Sequence, residues 1–211
     1  MKLLTKRLLA ILLIVVIISQ SGIYSNAATK FKATKSKLIS TAYAKENIII
    51  YSKPSTSSRM ISTYIKNDKI KIVSMTKNKK WYKVKYNGTT RYIKKSKYIS
   101  IKKDKKHRNN NRLSMQAGSC YGPSGRETYY NLPMGGVISV MRGMGFSEKK
   151  YPYWIRDDGA KMLGRYVMVA ANLGVRPRGT TVETSLGTGL VCDTGGFAAY
   201  DSTQIDIATA W

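Results

Sequence analysis

The feature that most limits how this chain can fold is a period of two running through its first half. In Lys69-Ile70-Lys71-Ile72 and Tyr82-Lys83-Val84-Lys85-Tyr86, charged and apolar residues alternate strictly. An extended backbone sends successive side chains to opposite faces, so this order buries one face and wets the other. Strands are predicted at Asn47–Tyr51, Met60–Ile65, Lys69–Met75, Trp81–Tyr86 and Thr90–Ile93. Turn chemistry separates them: Pro54-Ser55-Thr56-Ser57-Ser58, Lys66-Asn67-Asp68, Asn78 and Asn87-Gly88. Asn-Gly between alternating strands is a strong hairpin signal, because both residues tolerate positive φ. Short strands spaced this closely predict a small barrel.

The same lysines make the charge uneven. Residues 29–112 hold 25 Lys plus Arg against 3 Asp plus Glu, whereas residues 113–211 hold 9 against 8. A field of that sign gathers polyanions around the first half. The start of the chain selects which polyanion. Lys2, Lys6 and Arg7 precede a wholly apolar run from Leu8 to Ile18, and small residues end it at Ser25-Asn26-Ala27-Ala28. That is the layout of a cleaved secretory signal peptide, expected over residues 1–28. The apolar core is shorter than the roughly 20 residues a spanning helix needs, so no stable membrane insertion is expected after cleavage. Outside the cytoplasm nucleic acid is excluded as the partner, and an anionic cell-wall polymer is expected instead.

Asn47-Ile48-Ile49-Ile50-Tyr51-Ser52-Lys53-Pro54-Ser55, with Trp81-Tyr82-Lys83-Val84-Lys85-Tyr86-Asn87-Gly88 and Arg91-Tyr92-Ile93, resembles a bacterial SH3 domain over roughly residues 40–100. The resemblance implies an SH3-like, wall-targeting module within residues 29–100, with no chemistry of its own. Ile49 or Ile50 and Arg91 stand where such domains often carry Arg and Gly. The other reading is a structural spacer with a solvated lysine surface. Residues 101–112 have almost no apolar content and read as a basic linker.

That linker contains His107, the chain's one histidine. Residues 113–211 therefore lack the histidine that zinc sites, Cys-His pairs and Ser-His-Asp triads require. No metal or cofactor is expected, and carboxylates are left as the acid and base groups. Among them, Glu148 and Asp201 sit with polar neighbours, Asp157-Asp158-Gly159 reads as a turn, and Glu127 and Glu183 lie in strand or loop candidates with a water-facing alternative. Asp193 differs by ending an apolar run, Gly189-Leu190-Val191-Cys192, just before Thr194-Gly195-Gly196. Asp206 differs by lying between Ile205 and Ile207. Gly135 to Arg142 reads as a helix, and Tyr151-Pro152-Tyr153-Trp154 as either core or a sugar-stacking patch. Cys120 and Cys192 are either one disulfide or two thiols.

Asn172-Leu173, Arg176-Pro177-Arg178-Gly179-Thr180, Cys192-Asp193-Thr194-Gly195-Gly196-Phe197 and Ile205-Asp206-Ile207, in this order, resemble the three-aspartate (3D) domain. That domain is shared with the MltA type of lytic transglycosylase. The likeness spans about residues 165–208. It implies a double-psi β-barrel in residues 113–211, and hence a mainly β protein of two barrels. It also implies Asp206 as catalytic acid with Asp193 next to it, and Asn172, Thr180, Thr194, Gly195 and Gly196 binding substrate. Burial between the isoleucines and the neighbouring Asp193 charge are both expected to raise the Asp206 pKa. Asn172 stands at the first aspartate position and cannot ionise. The expected function is an exported enzyme that cuts peptidoglycan glycan strands. Two other readings are a non-catalytic wall-binding or wall-loosening protein and an extracellular polyanion binder.

Overall fold

The computed structural model describes residues 40–101 and 111–211. The expected signal peptide and most of the expected linker lie outside these residues. The fold is mainly β, in two sheets. No helix among the described residues is long and apolar enough to cross a membrane.

The first sheet holds β1 (Ser40–Ala44), β2 (Ile48–Tyr51), β3 (Met60–Tyr64), β4 (Lys69–Met75), β5 (Trp81–Tyr86), β6 (Thr89–Lys94) and β7 (Ile99–Ser100). Its order is β3-β2-β6-β5-β4-β1-β7, and every neighbouring pair is antiparallel. The alternation works as the sequence requires: in β4, Lys69 and Lys71 are exposed while Ile70 and Ile72 are buried. Those isoleucines join Ile48, Ile50, Val84 and Ile93 in one core. Asn87 (φ 47°) and Gly88 (φ 73°) turn the hairpin between β5 and β6. β1 and β7 add to the five expected strands. Ser-Thr-Ala-Tyr-Ala has too little apolar contrast to announce a strand, yet pairing with β4 buries Ala42 and Ala44.

The second sheet holds β8 (Cys120–Gly122), β9 (Gly125–Tyr130), β10 (Tyr153–Ile155), β11 (Lys161–Leu163), β12 (Tyr166–Ala171), β13 (Thr181–Thr184), β14 (Gly187–Asp193) and β15 (Ile205–Ala208). β12 runs parallel to β14 and antiparallel to β15, while β15 runs parallel to β9. The sheet curls. Its edge elements β8 and the β13–β14 turn meet where Cys120 Sγ stands 3.7 Å from Ser185 Oγ. Inside the curl lie Val167, Val169, Ala171, Val191, Ile205 and Ile207. On the outer face Met168, Leu190, Cys192 and Ala208 are sealed by α1 (Gly135–Gly143), which inserts Met141. Strands buried on both faces lose their alternation, which is why this half reads less clearly in sequence.

The aromatic patch resolves toward packing. Trp154 is buried and donates Nε1–H to the Gly164 carbonyl, and Tyr151 and Tyr153 pack on the outer core layer. The disulfide alternative is overturned: both thiols are free, with Cys120 against the inner core and Cys192 in the outer one. The sheet itself separates them.

The two sheets are joined by a built interface. Asn47, buried, donates Nδ2–H to the carbonyls of Arg165 (2.9 Å) and Thr188 (3.0 Å) and accepts from Thr188 N–H. At Gly187 (φ 110°) an added Cβ would lie 2.7 Å from Asn47 Oδ1, so glycine serves both the turn and the contact. Ser62 and Tyr86 donate to the two oxygens of Asp157 at 2.6 and 2.7 Å. Arg156 reaches Thr63 Oγ1 at 2.9 Å.

Candidate functional site

The site is a row across four neighbouring strands on the outer face of the second sheet. Register places Asp193 of β14 opposite Ala170 of β12, Ala170 opposite Asp206 of β15, and Asp206 opposite Thr128 of β9. A bulge between Val169 and Ala170 makes Cys192 the extra residue. Without it Asp193 would fall on the inner face; the bulge re-aims the side chain outward. Asp193 Oδ2 accordingly stands 3.5 Å from the hydroxyl of Tyr130, whose ring packs in the outer layer.

Asp206 is half-buried between the fully buried Ile205 and Ile207. Burial raises its pKa above the ordinary carboxyl value, and a hydrogen bond from Thr128 Oγ1 at 2.8 Å works against that rise. Asp193 contributes nothing to this shift. A whole strand lies between the two carboxyls, about 9–10 Å at ordinary strand spacing. Solvent screening at that separation leaves little interaction. Of the two expected causes, burial raises the Asp206 pKa and the Asp193 charge does not. Tyr130 lies close to both carboxylates: burial raises its pKa first, and Asp193 and Asp206 add to the rise.

The other expected site residues divide by what their atoms already do. Asn172 follows β12. Its Oδ1 accepts the N–H groups of Gly174 (2.9 Å) and Val175 (3.3 Å), and its Nδ2 donates to the Ala198 carbonyl at 3.0 Å. An ionised aspartate here would lose that last bond, having no proton to give. Thr180 donates to the Pro177 carbonyl at 2.6 Å and so holds its own turn. Thr194, Gly195 and Gly196 are exposed beside Asp193 and lead into a 3-10 turn, Gly196–Ala199. Asp157 and Asp158 do not reach the row. Burial works the other way, yet Arg156 and Arg112 hold Asp158 below its ordinary value. Glu183 accepts from Thr188 Oγ1 at 3.3 Å.

For Glu127 the water-facing alternative is overturned. It is fully buried and faces the inside of the curl, where Ser185 N–H reaches both of its oxygens at 2.9 and 3.1 Å. An added Cβ at Gly122 would lie 1.7 Å from Glu127 Oε1, so the glycine leaves room for the carboxyl. Burial raises the Glu127 pKa, with the Ser185 and Cys120 hydrogen bonds opposing.

Residues not foreseen are Thr128, Tyr130, Gln204 and Arg126. The alternation in Arg126-Glu127-Thr128-Tyr129-Tyr130 hints at two faces, but only the pairing of β9 with β15 brings Thr128 to Asp206. Among the described residues no three His, Cys, Asp or Glu side chains gather as a metal set. A cavity of about 490 Å³ opens elsewhere, between the sheets, lined by Ser62, Tyr86, Asp157 and Asp158 among others.

Residues 46–100 match the family model of the bacterial SH3 domain, which takes in β2 through β7. No curated protein matches the chain.

Proposed function

We propose that this chain is an exported, wall-bound enzyme that cuts peptidoglycan glycan strands as a lytic transglycosylase, with Asp206 as its acid and base. The observation carrying this reading is a half-buried carboxyl, raised by burial, on an outer face beside the exposed Thr194-Gly195-Gly196 segment. The resemblance of residues 165–208 to the three-aspartate domain supports it, as does the bacterial SH3 domain for wall binding. A carboxyl whose pKa burial raises is suited to give its proton to the glycosidic oxygen as the bond to the anomeric carbon breaks. The muramic C6 hydroxyl then bonds to that carbon and returns its proton to Asp206. No water is consumed, which separates this route from two-carboxylate hydrolysis. Asp193 and Tyr130 line the same face and bear on substrate placement.

The test is digestion of purified peptidoglycan by the full chain, read by mass spectrometry. Products ending in 1,6-anhydromuramic acid, lighter by one water than reducing ends, are expected. Asn172 favours a second reading, a non-catalytic wall binder, because its amide is committed to backbone contacts where the resembled domain has an ionisable group. That reading prevails if the folded chain sediments with walls, is released by salt, and frees no soluble fragments.

A further inference from the structure

Gln204, Thr128 and Asp206 form one directed hydrogen-bond chain whose far end is Arg126. Arg126 Nη1 lies 2.7 Å from Gln204 Oε1, Gln204 Nε2 lies 2.9 Å from Thr128 Oγ1, and Thr128 Oγ1 lies 2.8 Å from Asp206 Oδ1. Each direction is forced by the one before it. A guanidinium only donates, so the amide oxygen of Gln204 must face Arg126. The amide NH₂ must then face Thr128, whose oxygen accepts, and the single hydroxyl proton of Thr128 is left for Asp206. Gln204 is buried, with 6 % of its surface exposed, and its backbone N–H is fixed by Asp201 Oδ1 at 3.1 Å. The amide is thus held at both ends.

From this chain we infer that Gln204 is a positioning residue for Asp206, committing Oδ1 to acceptance so that the working proton resides on Oδ2. The inference rests on the proposed function, deepening it to the level of single oxygens. Asp206 Oδ2 takes no hydrogen bond among the described residues. In the cleavage step the proton leaves Oδ2 for the departing glycosidic oxygen, and the C6 hydroxyl proton returns to the same atom. Oδ1 stays hydrogen-bonded to Thr128 throughout, so the carboxylate formed midway keeps a donor and Thr128 never has to turn. The titratable and charged groups around this row are Tyr130, Asp193, Cys192, Arg126, Asp201 and Arg178, and among the described residues none of them hydrogen-bonds to the Asp206 carboxyl.

Gln204→Glu reverses the chain without changing its shape. One glutamate oxygen still accepts from Arg126, but the other can only accept from Thr128, which must then turn its proton away from Asp206. The Asp206 carboxyl carbon is titrated by NMR in the full chain and in Thr128→Val, Gln204→Glu and the double variant. Thr128→Val is expected to move the titration upward, and Thr128→Ser to return it. Gln204→Glu is expected to move it upward too, and to add little on the Thr128→Val background. A full additional shift in the double variant would mean plain charge repulsion and would overturn the relay. An unmoved titration in Thr128→Val would overturn it as well. Should the valine variant fail to fold, Thr128→Ala removes the same hydroxyl without added bulk. The titration needs no turnover, so a chain that frees no glycan fragments but shows the coupled shifts loses the enzyme reading and keeps the relay. Fragment release with additive shifts does the opposite.

Discussion

The strand pair β9 and β15 carries carboxyl groups on both of its faces, in contrasting settings. Inside the curl, opposite Ile205, Glu127 is fully buried and clasped by the Ser185 backbone. On the outside, one residue further along each strand, Asp206 is half-buried and meets only the hydroxyl of Thr128. Burial raises both pKa values. What differs is access. Glu127 joins the β9 strand to the β13–β14 turn and has no open side, so its carboxyl serves the fold. Asp206 keeps one oxygen without a hydrogen bond among the described residues, so that oxygen is open to a ligand. A perturbed carboxyl is thus no guide to chemistry until the face it occupies is known.

The largest effect expected is on the outer face. Asp206→Asn should keep the fold, since asparagine still accepts from Thr128, and lower fragment release by about 10²–10⁴-fold. Unchanged release would move the chemistry off this row. On the inner face the matching change is structural. Glu127→Ala leaves the Ser185 N–H buried without an acceptor and should cost about 1–3 kcal/mol of stability, read from the denaturation midpoint. Activity per folded molecule should survive it; a loss matching that of Asp206→Asn would erase the distinction between the faces.

A smaller effect concerns pH. Because folding raises the Glu127 pKa, its protonated form is favoured in the native state. That stability is fully present below the unfolded pKa and is lost as pH rises through the folded one. Asp206 contributes with the same sign. Glu127→Gln should therefore fall less in stability than the wild type as pH is raised from acid to neutral, and denaturation midpoints across that range check it. A steeper fall would mean that Glu127 is ionised and paired in the native state. The smallest effect is expected from Asp193→Asn: a milder loss than at Asp206, with the pH optimum unmoved, because Ala170 and its strand separate the two carboxyls. An optimum displaced toward acid in a pH–rate profile would show that the two interact after all.

The lysine–isoleucine alternation, Asn87-Gly88 and the helix from Gly135 were legible because each is a local signal, complete within a few residues. Asp193 and Asp206 were legible as unusual carboxyls, since apolar neighbours in sequence promise burial wherever the strand goes. Their relation was not. The bulge at Cys192 decides which face Asp193 joins, and the intervening strand removes the charge coupling that adjacency would have given. Glu127 looked like a water-facing residue because nothing in Arg126-Glu127-Thr128 reveals that Ser185, far along the chain, supplies its hydrogen bonds. Asn47 likewise shows nothing of its contacts with Arg165 and Thr188. Sequence by itself determined the alternating strands of the first half, the Asn87-Gly88 turn and the Gly135 helix, and which side chains were chemically equipped. Tertiary structure alone decided which of those side chains meet, because strand pairing joins residues by register, and register is settled when a face of the sheet is buried against the rest of the fold.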